Sequence, residues 1–323
     1  MPNIITHTIF AEKVLDALSD NKYKTMIQNH KEEFLIGANG PDFLFFHDIF
    51  PLWKKQNKKI SKIGSKIHAN NINLFYQNAI NVYYNQEESI QKEAMASYII
   101  GHYLHWQLDS IMHPYVVYCS GFGEKTSSGN HHRFESMMDT MLLKHYWHKT
   151  IKDFKTYEIT KRSKYSVDVI SKIYIPCVKA CLNKDILKSE IEQALIEWEK
   201  AQKRLYDPSG IKFFFIQQIE KMIRQPWAIS GSMVLVKEDT IHDICNLQHN
   251  FYRHPCTGEE ANDSVYDLFD KAIENAMMGI PLLYDALDTN HCDSLLHFID
   301  DVSYNNGCKE RLPRKYKKVI YEN

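Results

Sequence analysis

The chain has little glycine, 12 residues in 323, and its alternating apolar–polar stretches are short. Both features argue against a strand-rich fold, which needs period-2 patterning and frequent tight turns. No run of 18 apolar residues occurs, so no membrane-spanning segment is expected. Charge of either sign is not in excess: 39 basic and 40 acidic residues give a net charge of −1. That balance removes any global drive toward nucleic acid or an anionic membrane, and no stable nucleic-acid partner is expected. The start, MPNIITHTIF, lacks a basic region, a long apolar core and a small-residue cleavage site. No secretory signal is expected from it, and a cytoplasmic location follows as an expectation. The seven cysteines are odd in number and scattered, which argues against a disulfide framework. Cys177 and Cys181 lie one helical turn apart, but no second pair stands near them, so they read as packing.

What remains is helix-like spacing. Residues 8–19, 62–84, 91–113, 131–149, 165–182, 185–204, 211–224, 238–250 and 262–286 repeat apolar positions every three or four residues. Thr6 or Thr8 could cap the first of these. GANGPDFLFFHDIFP, 37–51, reads as a loop with an aromatic collar, Phe43 to Phe46, which either packs in the core, the favoured reading, or lines a lipid-facing cleft mouth. GFGEKTSSGN, 121–130, and RHPCTGEEAND, 253–263, read as loops. The predicted fold is all-α: one large multi-helix bundle spanning 1–323, with helices over 165–306 and a basic, solvated tail over 307–323, including Arg311 to Lys318. No convincing domain boundary appears; the weakest candidate, a polar link, lies around 153–164. No helix stands out as an amphipathic membrane anchor.

Chemistry concentrates in HYLHWQLDSIMHP, 102–114. On a helix, His102, His105, Asp109 and His113 fall within one narrow stripe, and the last three form an i, i+4, i+8 ladder. Pro114 would end or kink that helix. HHRFESMMD, 131–139, repeats the device: His131 and Glu135 are i, i+4, with Asp139 one turn on. Imidazoles and carboxylates in such numbers suit zinc. His30, His145, His148, His242, His249, His291 and His297 join no converging pattern.

These pieces, with Thr6 and His7 before FAEKVL, Asp42 in GANGPDFLFFH and His68 in KIHANN, resemble in order and spacing the zinc-dependent phospholipase C-like proteins. They cover roughly residues 1–150. Weaker echoes, HPCTGEEANDSVYDLFDKA and DVSYNNG, extend the likeness to about residue 306. That family has an all-helical fold shared with zinc-dependent single-strand nucleases. The resemblance implies two or three zinc ions. Asp42, His68, His105 and Asp109 would hold one. His113, His131 and Glu135 would hold a second. Asp109 as a bridge, with His7, would hold a third. Asp42 would also accept a proton from the attacking water. His102 would orient a ligand or bridge to a carboxylate, His47 would face the substrate, and His132 would turn outward.

The implied function is hydrolysis of a phosphodiester, phospholipid first, by a metal-bound hydroxide, with transient membrane contact. A nuclease or phosphomonoesterase on the same scaffold, or a zinc-stabilised binding protein without turnover, stays open. Two departures stand out. The secreted lipases complete the third site with the amine of an N-terminal tryptophan, which is absent here. The four-residue step from Asp109 to His113 is shorter than theirs and resembles an intracellular branch of the family.

Overall fold

A computed structural model describes residues 4–51, 56–309 and 312–321. The described residues are almost entirely helical, as the patterning predicts. In chain order the helices are α1 (Ile4–Ala17), α2 (Lys22–Asn29), α3 (Lys31–Gly37), a 3-10 turn (Gly40–Phe46), α4 (Lys59–Ile67), α5 (Ile72–Tyr84) and α6 (Ser89–Ser120). Then come α7 (Ser127–Trp147), α8 (Thr156–Ile159), α9 (Lys164–Leu182), α10 (Lys188–Leu205), α11 (Ile211–Met222), α12 (Val265–Thr289) and α13 (Asp293–Ile299). A short hairpin pairs β1 (Tyr252–Arg253) with β2 (Glu260–Ala261), antiparallel.

The long helix α6 is the axis of the bundle. Every residue from 94 to 110 is buried, and α1, α2, α3, α5, α7, α9 and α12 all pack on it. A helix enclosed on all sides needs apolar residues all round, which its sequence supplies except along the His/Asp stripe. Helix α3 reaches α6 backbone to backbone. A Cβ on Gly37 would lie 2.3 Å from the Tyr98 carbonyl oxygen, and one on Gly101 would lie 2.3 Å from that of Phe34. The crossing therefore requires glycine on both helices and holds the following 3-10 turn tightly against α6.

Several local expectations change. The 62–84 pattern is two helices, broken at Asn71, which takes the left-handed conformation at φ 57°. Residues 238–250 are not helical. Asp239 accepts the amides of Ile241 and His242, and Asp243 those of Leu247 and Gln248, so side chains take the bonds a helix would need. The loop over 37–51 contains the end of α3 and the 3-10 turn, and the loop over 253–263 contains the hairpin. Thr6 and Thr8 lie inside α1 rather than capping it. Within the polar link over 153–164, α8 packs against α10 and α1.

Pro114 does not end α6, which runs six residues further to Ser120. Proline's missing N–H leaves the Ser110 carbonyl without its helical donor. Gly307, at φ 61°, lies so close that a Cβ there would sit 2.3 Å from that oxygen. The basic tail is not solvated along its whole length. Lys318 and Ile320 donate their amides to the carbonyls of Tyr118 and Cys119, satisfying acceptors that the end of α6 leaves open. Arg311 lies outside the described residues.

Gly101→Ala should destabilise the fold by about 1–3 kcal/mol, because neither backbone at the crossing can retreat cheaply. Urea denaturation measures this as a lower midpoint at constant slope. An unchanged midpoint would contradict the crossing as described.

Candidate metal centre

Five elements bring eight chemically active side chains together. Helix α6 contributes His105, Asp109 and His113, α7 contributes His131 and Glu135, and α1 contributes His7. The 3-10 turn contributes Asp42, and His68 ends α4. They form three groups: Asp42, His68 and His105; His7, His105 and Asp109; His113, His131 and Glu135. Within each group the donor atoms all lie within 4.8 Å of one another. His105 belongs to two groups, so eight residues fill nine places.

The rings are oriented by their far nitrogens. His68 donates Nδ1–H to the Gly64 carbonyl at 2.8 Å, and His113 donates Nδ1–H to the Tyr304 carbonyl at 2.7 Å. His131 Nδ1 lies 3.3 Å from the Ser120 hydroxyl, which itself donates to the Val116 carbonyl. Each Nε2 then faces a carboxylate oxygen: His68 to Asp42 at 2.9 Å, His131 to Glu135 at 3.0 Å and His113 to Glu135 at 3.4 Å. Asp109 is approached from both sides, by His7 Nε2 at 3.1 Å and His105 Nε2 at 3.2 Å. In the neutral ring such an Nε2 carries a lone pair, and two facing acceptors need a cation between them.

Gly40 shapes the Asp42 turn. Its φ is +52°, and a Cβ there would fall 2.1 Å from the His105 ring. Only glycine meets both demands. Asp139 has a different task from its neighbours on α7. It accepts the Thr6 amide at 2.8 Å and the Thr6 hydroxyl at 2.6 Å, which anchors the start of α1 one residue before His7. Burial pushes the Asp139 carboxyl up to about 7 despite those bonds. The spacing on α7 marked Asp139 but not its task, and Tyr304 carried no spacing signal because it acts on His113 from a distant segment.

The remaining expected residues stand apart. His102 belongs to none of the three groups. It stacks on Phe75 at 4.7 Å, its Nδ1 lies 3.1 Å from the Tyr76 hydroxyl, and burial pushes its pKa well down. No carboxylate meets it among the described residues. His47 is buried beyond the 3-10 turn and does not line the cleft. His132 does not turn away, but stands on the cleft wall. Cys177 and Cys181 are buried in the core, facing the Phe75 and Asn71 carbonyls.

The three groups open into one cleft of about 410 Å³, lined also by Phe45, Ser65, Ser128 and Asn305. Phe45 and His132 separate it from a second cavity of about 210 Å³, whose walls include Phe46, Ile49, Leu205 and Val234. The aromatic collar is therefore divided: Phe43 and Leu44 are core, while Phe45 and Phe46 face the cavities.

Comparison with known proteins now bears on this geometry. A family model described as zinc dependent phospholipase C matches residues 6–201. The chain belongs to the zinc-dependent phospholipase C family. The match covers more than half of the chain and includes all eight clustered residues. No curated protein and no solved structure matches significantly.

The donors fit the metal this family requires. Five imidazoles and three carboxylates are nitrogen and oxygen ligands of the kind zinc takes, and three protein ligands leave a fourth tetrahedral position open. His105 Nε2 and His7 Nδ1, both buried, make no hydrogen bond among the described residues.

The electrostatics without metal favour separated charge. Burial works against ionising Asp109, yet the imidazoles of His113, His105 and His7 hold its carboxyl well below the usual range. Burial is likewise outweighed at Glu135, by His131 and His113, and at Asp42, by His105 and His68. Burial lowers His105 and His131, whereas Asp109 and Glu135 overcome burial at His113 and raise it to about 9.

Two outcomes follow for measurement. The raised His113 stabilises the metal-free fold fully below its ordinary pKa of 6.5. That contribution disappears as pH rises through about 9, while the depressed carboxylates lose theirs as pH falls through the acid range. Zinc held by His113 would displace its proton, so binding there should tighten from neutral pH toward pH 9 and release protons. Calorimetry in buffers of different ionisation enthalpy reads this directly, and buffer-independent heats would contradict it. Separately, Asp139→Ala leaves the Thr6 donors buried and unmet. It should lower stability by about 1–3 kcal/mol in a denaturation experiment. A wild-type midpoint would contradict the anchoring role.

Proposed function

We propose that this chain is a zinc-dependent phosphoesterase that hydrolyses a phosphodiester, with a phospholipid as the first substrate class. The observation that carries the reading is the convergence of three imidazole–carboxylate groups, two of them fully buried, on one open cleft. The zinc-dependent family supports a phosphoric ester hydrolase. Bound zinc supplies an activated water near neutral pH and neutralises charge that develops on a phosphoryl group.

The chain's own residues would divide the work. His68, His105 and Asp42 form one ligand set. His113, His131 and Glu135 form another. Asp109, with an oxygen toward His7 and the other toward His105, would bridge to a third place that has only His7 for itself. Two tightly held ions and a weaker third are therefore expected. Asp42 is the residue we assign to accept the proton from attacking water, because its carboxyl is held ionised at the edge of the cleft. The cavity behind Phe45, with Ile49, Leu205 and Val234 on its walls, suits an apolar leaving group better than a stacked base.

Asp42→Asn should lower turnover of short-chain phosphatidylcholine by about 10²–10⁴-fold while the fold persists. Asp109→Ala should also reduce zinc content, measured by plasma mass spectrometry on protein prepared without added metal. Zinc-loaded wild type that cleaves no phospholipid, oligonucleotide or phosphomonoester would leave a zinc-stabilised binding protein. Cleavage of oligonucleotide alone would identify a nuclease.

A further inference from the structure

Helix α11, outside the segment that matches the family, is built inside out. Ile211, Phe214, Phe215, Ile219, Met222 and the adjoining Ile223 are each more than half exposed, from 52% to 76%. The buried residue of this helix is the carboxylate Glu220. It accepts the amides of Ile229 at 2.6 Å and Ser230 at 2.9 Å and the Ser230 hydroxyl, which pins the helix to the body by its polar side. On a helical wheel the five exposed apolar residues of α11 lie within a sector of roughly 140°, interrupted by the exposed Gln218. Lys221 borders one edge of the sector and Lys212 the other, and both are exposed, as is Arg224. Between 203 and 229 the carboxylates are Asp207 and Glu220, and both are buried. The outer surface of this segment is apolar and cationic.

The helix is tied to the metal cleft. Residues 226–231, which Glu220 holds, lie against the first turn of α7. A Cβ on Gly231 would meet the Gly129 carbonyl at 2.9 Å, and one on Gly129 would meet that of Pro226 at 2.8 Å. Gly129 is two residues from His131, and its neighbour Ser128 lines the cleft.

We propose that α11 docks on an anionic lipid surface, lying in the interface plane with its apolar sector among the acyl chains. Twelve residues are too short to cross a bilayer, and no helix of the described residues is long and apolar enough to do so. Lysines at both edges of an apolar sector can extend their ammonium groups to lipid phosphates while their stems stay in the apolar layer. A second copy of the chain fits less well, because a two-fold contact would press Lys212, Lys221 and Arg224 against the same cations. This inference rests on the phospholipid reading for its purpose, but lipid binding is measurable without turnover.

The test is vesicle flotation of the full chain, with phosphatidylcholine alone and with about one-third phosphatidylserine. Wild type should float with the anionic vesicles, less so as salt rises. Phe215→Ser with Met222→Ser should weaken this by at least about tenfold, since two exposed side chains lose their burial in lipid. Lys212→Glu with Lys221→Glu should weaken binding to the anionic vesicles by a similar factor. Both variants should cleave a soluble chromogenic phosphodiester at the wild-type rate.

Wild type that floats with neither vesicle, or variants that float as well as wild type, would overturn the proposal. So would a wild-type dimer that the apolar variant splits and that ignores vesicles, which would assign the face to self-association. Vesicle binding that depends on α11, with no hydrolysis of any phosphodiester, would remove the phosphoesterase reading and leave the docking surface standing.

Discussion

Asp109 lies in the middle of a helix enclosed on every side, with 9% of its side chain exposed. A carboxylate in such a place must be neutralised or protonated, because its desolvation is not repaid by water. The imidazoles of His7, His105 and His113 surround it from α1, its own helix and the next turn. The same condition recurs at Asp42 and Glu135. Three buried acids among five imidazoles make a centre that stores positive charge, as protons or as metal.

The rest of the scaffold reads as the means of holding those rings still. Glycines at 37 and 101 let α3 touch α6, and Gly40 lets the following turn lie on the His105 ring. Asp139 anchors the start of α1 beside His7. The Tyr304 carbonyl fixes His113, and the segment carrying it fits against the gap that Pro114 opens in α6. Each device sits one step from a candidate ligand and acts through the backbone or through a ring's far nitrogen, the level at which the geometry and basicity of ligands are tuned. The function of the site therefore depends on residues spread over most of the chain.

The ladder of His105, Asp109 and His113, and the pair His131 and Glu135, were legible because helical spacing is local and a four-residue step means a shared face. His7, Asp42 and His68 come singly from three other elements, and no periodicity marks such residues. Only family resemblance reached them. His102 shares the stripe on the wheel yet sits in an aromatic box, because a wheel gives direction and not neighbours. Asp239 and Asp243 overrode an apparent helix through bonds to the backbone. The apolar repeat of α11 was readable, but not that its apolar side faces outward, because a repeat alone cannot distinguish the buried face from the exposed one.

The most direct measurement is an anomalous difference map at the zinc absorption edge, from crystals of the full chain grown with zinc. The account predicts strong peaks beside His68 and His105 and beside His131 and Glu135, with a weaker peak between His7 and Asp109. A zinc-saturated crystal with no peak inside the cleft, or with peaks only on surface histidines, would contradict it.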